Sequence, residues 1–393
     1  MKQIFFASYT YIFSHNSRLF DFFKHKARLF VILPKIWRST KGNRQATYPW
    51  TSSSIRTVPA TTIFYHSQYP VIRGMLKGWM PFLPGILLRR ARIGDLLVSF
   101  YEPNLIVTLI YGLIANVFGL KHIFFTWQNV PFEQRLSGFK LRITDWLLRA
   151  NFALSAGGVF GMERAREVHQ KYISLNPKLK IAVIPQTGVD TDVFRPVDTI
   201  SVREKYNLGD APVFMYAATF TPRKGTMPTL NAFGQLAAII PGVRFIVVGM
   251  GELQAQVEER IHRPDLDGRV VLLPWQKIED LVPLYSVATA LIHPSEPFEG
   301  WEEQFGLLIL QAQACGTPVI TTRTGSLEES VLHETTGLLV QPKDIDGMIQ
   351  AMRRLHDDPQ LHRRMSENAR QYIVDHFSFD SVARRLESFF ENI

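Results

Sequence analysis

Chemistry concentrates in the stretch from Pro294 to Gly316, PSEPFEGWEEQFGLLILQAQACG, which carries Glu296, Glu299, Glu302 and Glu303 ahead of Phe305-Gly306. The apolar run Thr289–His293 before it reads as a buried parallel strand, and Phe305–Cys315 after it reads as a helix. A strand end that feeds a helix N-terminus is where an α/β protein places a ligand. Carboxylates there accept hydrogen bonds from hydroxyl groups, and the first free amides of the helix face an anion, so the pairing suits a sugar carried on a phosphate. Glu303 stands out because it lies two positions before Phe305, at the helix entry. An acidic surface loop in front of a core helix is the competing reading.

Other turns carry related signals. Arg223-Lys224-Gly225, in TFTPRKG, sets two cations between a strand end and a helix start, where point charges add to the helix dipole to hold a phosphate. Gly249-Met250-Gly251-Glu252 ends one strand and opens the next helix. It permits close backbone approach to a ligand or makes a tight turn, and it lacks the third glycine of a dinucleotide fingerprint. Gly325-Ser326 gives another turn after Thr321. All of these fall at the carboxyl ends of predicted strands, so they converge on one sheet edge. Asp190-Thr191-Asp192 is formally a DxD metal signature, but it precedes Pro196 without a second acidic cluster and reads as a turn and helix cap. The single cysteine, Cys315, reads as a core residue, and no Cys/His cluster has metal-ligand spacing.

The elements that must position these residues alternate in the βαβ manner. In the second half, Val213–Thr219, Phe245–Val248, Val270–Leu273, Thr289–His293, Val319–Thr321 and Leu338–Val340 read as strands, with helices over Met227–Ile240, Glu252–Arg263, Ile278–Ser286, Phe305–Cys315 and Asp344–His356. In the first half, Lys2–Ala7, Leu29–Leu33, Thr62–Tyr65, Leu96–Phe100, His122–Thr126 and Ile181–Ile184 read as strands, and Arg38–Pro59 reads as a long loop. The fold class is α/β, with two Rossmann-like doubly wound parallel sheets. A length of 393 residues exceeds what one core usually serves. The predicted division is 1–198, 199–376 and a final helix over 377–393 that rejoins the first domain. The start, MKQIFFASYTYIFSHN, reads as a first core strand rather than a signal peptide. Pro103 to Leu120 is uncharged for 18 residues, which reaches the transmembrane threshold, but its Pro, Gly and Asn content favours a buried crossover helix.

Charge is unevenly spread. Residues 1–198 hold 26 Lys and Arg against 10 Asp and Glu, whereas residues 199–393 hold 18 against 25. Within residues 1–92 there are 15 basic residues and one acidic residue, Asp21. Basic residues interleave with aromatics in DFFKHKARLFVILPKIWRSTKGNR and in KGWMPFLPGILLRRAR. That mixture fits the headgroup region of an anionic membrane surface, at about 1 kcal/mol per basic residue. Nucleic acid is the disfavoured competitor, and a solvated basic face the bland alternative.

In order along the chain, VIPQTGVDTDVF, FTPRKG, VVGMGE, EQFGLLILQAQACGTPVITTRTGSLEESV and GLLVQPKD resemble the retaining family-4 glycosyltransferases of the GT-B fold. The resemblance is strong over residues 181–380 and mostly topological before that. It implies two Rossmann-like domains facing each other across a cleft, with a nucleotide-diphosphate sugar as donor, no cofactor and no obligatory metal. Glu303 matches the glutamate that contacts donor-sugar hydroxyls, and Lys224, with Arg223 and the amides opening at Phe305, would stabilise the leaving diphosphate. Thr219, Gly249, Gly251, Phe305, Gly306, Leu307 and Gln311 complete the implied donor site. Gln128 and Asn129 stand on the acceptor side, where many members place a histidine. Transfer would go to a glycan or lipid-linked acceptor, as in polysaccharide or lipopolysaccharide biosynthesis, by an enzyme peripheral on the cytoplasmic face of a membrane.

The chain also departs from that pattern. Gln311 stands where a second, ribose-holding glutamate is expected, and a neutral amide replaces a charged acceptor. Thr219 stands where an arginine usually precedes the phosphate lysine, a charge that Arg223 can supply. The glycine-rich turn often found after the first strand is missing from ASYTYIFSHN. The alternatives are a weakly active or non-catalytic donor-binding homologue, and a nucleotide-sugar epimerase or hydrolase on the same fold. A nicotinamide oxidoreductase is disfavoured by the incomplete GxG turn.

Overall fold

The computed structural model describes residues 2–9, 17–38, 45–47, 55–64 and 74–393. The chain forms two compact units, residues 1–188 together with 379–393, and residues 189–378. The junction thus falls at 188 rather than 198. The cause is local: Val189 N donates to Phe377 O at 2.8 Å, and the Arg370 guanidinium donates to Phe194 O at 3.2 Å, which ties the stretch after 188 to the second unit. The tail breaks at Phe377-Ser378 into helices Pro359–His376 and Phe379–Glu391.

In the first unit, β1 (Ile4–Ala7), β2 (Leu29–Pro34), β5 (Arg56–Ala60), β6 (Leu96–Ser99), β7 (Lys121–Thr126), β8 (Gly157–Phe160) and β9 (Lys180–Val183) form a parallel sheet in the order β5-β2-β1-β6-β7-β8-β9. A short antiparallel pair, β3 (Ile36–Arg38) with β4 (Gln45–Thr47), lies outside it. Successive residues of β1 point to opposite faces. Phe5 stacks on Phe30 at 4.8 Å on one face, while Phe6 meets Phe100 and Phe390 at 5.6 Å on the other. The helix Phe379–Glu391 buries Phe379, Val382, Ala383, Leu386 and Phe390, a one-sided stripe with helical spacing.

Two strands depart from the sequence reading. The third strand of this sheet is Arg56–Ala60, not Thr62–Tyr65, and it begins inside the stretch expected to be a loop. Pro59 obscured it; a proline fits because this is an edge strand that pairs only with β2. Tyr65 and much of the expected loop lie outside the described residues. β8 has no counterpart among the predicted strands, since two of its four residues are glycine, which weakens the strand signal. The uncharged segment forms the helix Ile106–Val117, whose 12 residues give a rod of about 18 Å, short of a bilayer core of about 30 Å. Among the described residues no helix is long and apolar enough to cross a membrane.

The second unit holds β10 (Val213–Ala217), β11 (Arg244–Val248), β12 (Val270–Leu273), β13 (Ala290–His293), β14 (Val319–Thr322) and β15 (Gly337–Val340). They form a parallel sheet in the order β12-β11-β10-β13-β14-β15. The order reverses between β10 and β13, which makes the loops after these two strands the walls of a crevice at the carboxyl edge.

Two histidines in the first unit are sealed from water. His122 Nε2 lies 2.7 Å from Ser99 Oγ and its Nδ1 lies 2.9 Å from Ser155 Oγ. Burial pushes its pKa down to about 3, and burial pushes that of His169 down to about 4. The unfolded chain takes up these protons near pH 6.5, the folded chain only well below it, so acid favours unfolding by up to about 1.4 kcal/mol per histidine per pH unit. The unfolding midpoint is therefore expected to fall steadily between pH 6.5 and 4. A midpoint that is flat over this range, measured by circular dichroism, contradicts the burial of neutral imidazoles.

Candidate active site

The crevice of the second unit is built from two loops. The first follows β10. Phe220 N donates to Met250 O and Leu253 N donates to Phe220 O, both at 3.1 Å, which staples the 218–220 segment to the turn after β11. A Cβ on Gly249 would stand 2.0 Å from Ala218 O, and one on Gly251 2.4 Å from Phe220 O. These glycines thus serve the contact between two loops and fix the half-buried Thr219 in place. The chain then makes a short turn over Pro222–Lys224 and reaches Gly225, whose φ of 62° and approach to Pro294 O, 2.4 Å from the position of a Cβ, both require glycine. Tyr216 OH donates to Lys224 O at 3.1 Å from below.

The second loop follows β13 and is tied to the first. Glu296 N donates to Arg223 O at 2.9 Å. Thr321 Oγ1 donates to His293 O at 2.7 Å, and Thr322 Oγ1 donates to Ser295 O. Phe298 and Trp301 exchange backbone hydrogen bonds of 3.0 and 2.8 Å around Glu299-Gly300, which take φ of 46° and 72° in a two-residue hairpin turn. Ser326 N holds Glu303 O at 2.9 Å. At Gly306 the chain turns with φ of 66° into the helix Leu307–Ala314, whose first amides have no side-chain cap.

Glu303 is where the loops meet. Its Oε2 accepts a hydrogen bond from Lys224 Nζ, forming an ion pair whose side chains are 14% and 12% exposed, and another from Ser295 Oγ at 3.0 Å. His293 Nε2 lies 3.5 Å from the same oxygen. Burial alone would raise the Glu303 pKa, but the His293 imidazole and the Lys224 cation outweigh it and hold the group well below the ordinary carboxylate range. Burial lowers the pKa of His293 against the opposing pull of Glu303, and the Lys224 charge adds to the lowering. Burial raises the pKa of Glu296. The site therefore presents one fixed carboxylate, two cations and a neutral imidazole.

The structure thus brings Arg223, Lys224, Glu303, Gly306 and Leu307 to one crevice. The Phe305 ring turns into the core, 6.1 Å from Phe377, so this residue contributes by anchoring the helix entry. Gln311 is one turn into the helix with its Oε1 buried and without a hydrogen bond. Cys315 is buried, which pushes its pKa up to about 12, as befits a core thiol. Asp190 Oδ1 accepts from Asp192 N at 3.2 Å, closing the DxD turn on itself.

Gln128 and Asn129 lie in the first unit after β7 and are buried. Gln128 Nε2 donates to Val130 O. Their loop is held by a residue the sequence reading passed over, Glu102, whose carboxylate accepts from Thr126 Oγ1 and, at 2.9 Å, from Trp127 N. Burial raises its pKa against those hydrogen bonds. The signal was a lone charge directly before the uncharged 18-residue stretch. Trp301 and His293 were likewise passed over: one reads as a loop aromatic, the other as the last residue of a buried strand.

Residues 198–372 match the family of glycosyl transferases group 1. The second unit is a group 1 glycosyl transferase domain. The chain is 30% identical over 203 residues to the GDP-mannose-dependent alpha-(1-6)-phosphatidylinositol monomannoside mannosyltransferase of Mycolicibacterium smegmatis, covering 51% of this chain and 53% of that protein. It is 26% identical over 226 residues to the lipopolysaccharide 1,2-N-acetylglucosaminetransferase of Salmonella typhimurium, covering 55% and 58%. The matched stretch thus spans little more than half the length of these relatives. Over the whole of both chains it shares its fold with HepE of Anabaena, solved in complex with UDP, at a TM-score of 0.72 and 16% identity. The glycosyl transferase domain and the sheet preceding it have the two-domain GT-B fold.

Proposed function

We propose that this protein transfers a hexose from a nucleotide-diphosphate donor to a lipid-linked or glycan acceptor, with retention of anomeric configuration. The observation that carries the reading is the meeting of Glu303, Lys224 and Arg223 at the reversal point of the second sheet, beside the opening amides of a helix. The two cations and the helix amides take up charge as the diphosphate leaves, an effect worth about a hundredfold or more per group. Glu303, kept ionised, accepts hydrogen bonds from the donor sugar's hydroxyls. Gln311 offers its amide to the ribose. With this charge supplied by the chain, transfer requires no resident metal or cofactor. The acceptor attacks the face from which the diphosphate departs, and the leaving phosphate assists by accepting the acceptor's proton. A donor-binding homologue without turnover is favoured by the neutral Gln311 and by Thr219; it would bind nucleotide yet release none from any mixture of donor and acceptor.

The acceptor reading draws on the surface of the first unit. Phe82, Leu88 and Ile93 are 66%, 75% and 88% exposed beside Arg89, Arg90 and Arg92. On the helix Gly138–Leu154, Phe139, Arg142, Trp146 and Arg149 share one exposed face. Aromatic and cationic side chains together suit the interface of an anionic leaflet. On this reading the protein works peripherally on the cytoplasmic face of a membrane, and the phosphatidylinositol and lipopolysaccharide in the names of two relatives support it.

Lys224→Ala and Glu303→Ala are each expected to lower sugar transfer at least about tenfold while the unit stays folded, with wild-type turnover indifferent to EDTA. Unchanged turnover in both variants overturns the site assignment, and loss of wild-type activity in EDTA overturns metal independence. For the membrane reading, the protein is expected to sediment with anionic but not with neutral vesicles, and high salt is expected to release it. Equal binding to both vesicle types contradicts it.

A further inference from the structure

We propose that Trp301 is the positioning residue of the diphosphate site, holding the Arg223 guanidinium by its face so that the donors at its edge stay available for phosphate oxygens. The inference rests on the donor-binding reading above and names the device that makes it work. The Arg223 guanidinium carbon lies 4.3 Å from the centre of the Trp301 ring, and Lys224 Nζ lies 5.1 Å from it. Among the described residues no carboxylate pairs with Arg223, whereas Lys224 is committed to Glu303.

The two ways of fixing a long cation differ in what they consume. An ion pair orients a guanidinium by occupying its N–H groups. An aromatic face attracts the cation through the ring quadrupole and leaves the in-plane N–H fork unused. Arg223 is held in the second way, so it is the cation ready to take an anion, while Lys224 must exchange Glu303 for phosphate or share both.

Trp301 can serve because it is itself fixed. The hairpin turn at Glu299-Gly300 locks it against Phe298, and the bond from Glu296 N to Arg223 O ties that hairpin to the backbone of the cations. Ring and guanidinium are therefore set at their distance from both sides.

The test is calorimetric titration of UDP, GDP and ADP into the wild-type chain, Trp301→Leu, Trp301→Phe, Arg223→Ala and the double variant Trp301→Leu/Arg223→Ala. Trp301→Leu is expected to weaken binding of the preferred nucleotide about three- to thirtyfold, Trp301→Phe to restore most of it, and the double variant to bind no more weakly than Arg223→Ala. Undiminished binding by Trp301→Leu, equal losses in the Leu and Phe variants, or additive losses in the double variant each overturn the proposal, since a merely structural tryptophan would act independently of Arg223. If the wild-type chain binds none of the three nucleotides, the donor-binding reading itself fails and the inference falls with it.

Discussion

A lysine and a glutamate sheltered from water at the end of a sheet are held together by necessity. Desolvating either charge alone is costly, and truncating one partner of a buried pair costs on the order of 3–5 kcal/mol. Lys224 and Glu303 meet this constraint with help from Ser295 and from a neutral His293. Their pairing requires the loop after β10 and the loop after β13 to lie against one another. The other local features follow from that requirement. Gly225 lets one loop approach Pro294, Gly249 and Gly251 let the next turn support it, and Thr321 and Thr322 hold the far side from β14.

Much of this was legible in the sequence, and the limits have physical causes. The alternation of short apolar runs with helical patterns identified the second sheet closely, because fully buried parallel strands read as continuous apolar segments. The candidate site residues were legible as strand-end residues followed by helices. What could not be read was that Lys224 and Glu303 touch. Their contact depends on β10 and β13 being neighbours although 72 residues of chain lie between Ala217 and Ala290, a fact of strand order that no local pattern carries.

The failures are of the same kind. Pro59 hid an edge strand and Gly157-Gly158 hid β8, since each residue type weakens the local signal while the sheet supplies the stability. Trp301 carries no local signal of its role because its partner, Arg223, lies 78 positions away. Glu102 went unread because its work is to accept hydrogen bonds from a loop reached only through the crossover helix.

If Lys224 and Glu303 mark a donor site, nucleotide sugars must stabilise the folded chain through them. The most direct test is thermal unfolding of the wild-type chain with UDP-, GDP- and ADP-sugars, compared with a Lys224→Ala/Arg223→Ala variant. One nucleotide series is predicted to raise the wild-type Tm saturably, by a few degrees at about a hundredfold excess over Kd, and to leave the variant unmoved. A wild-type Tm indifferent to all three series, or a shift of equal size in the variant, would contradict it.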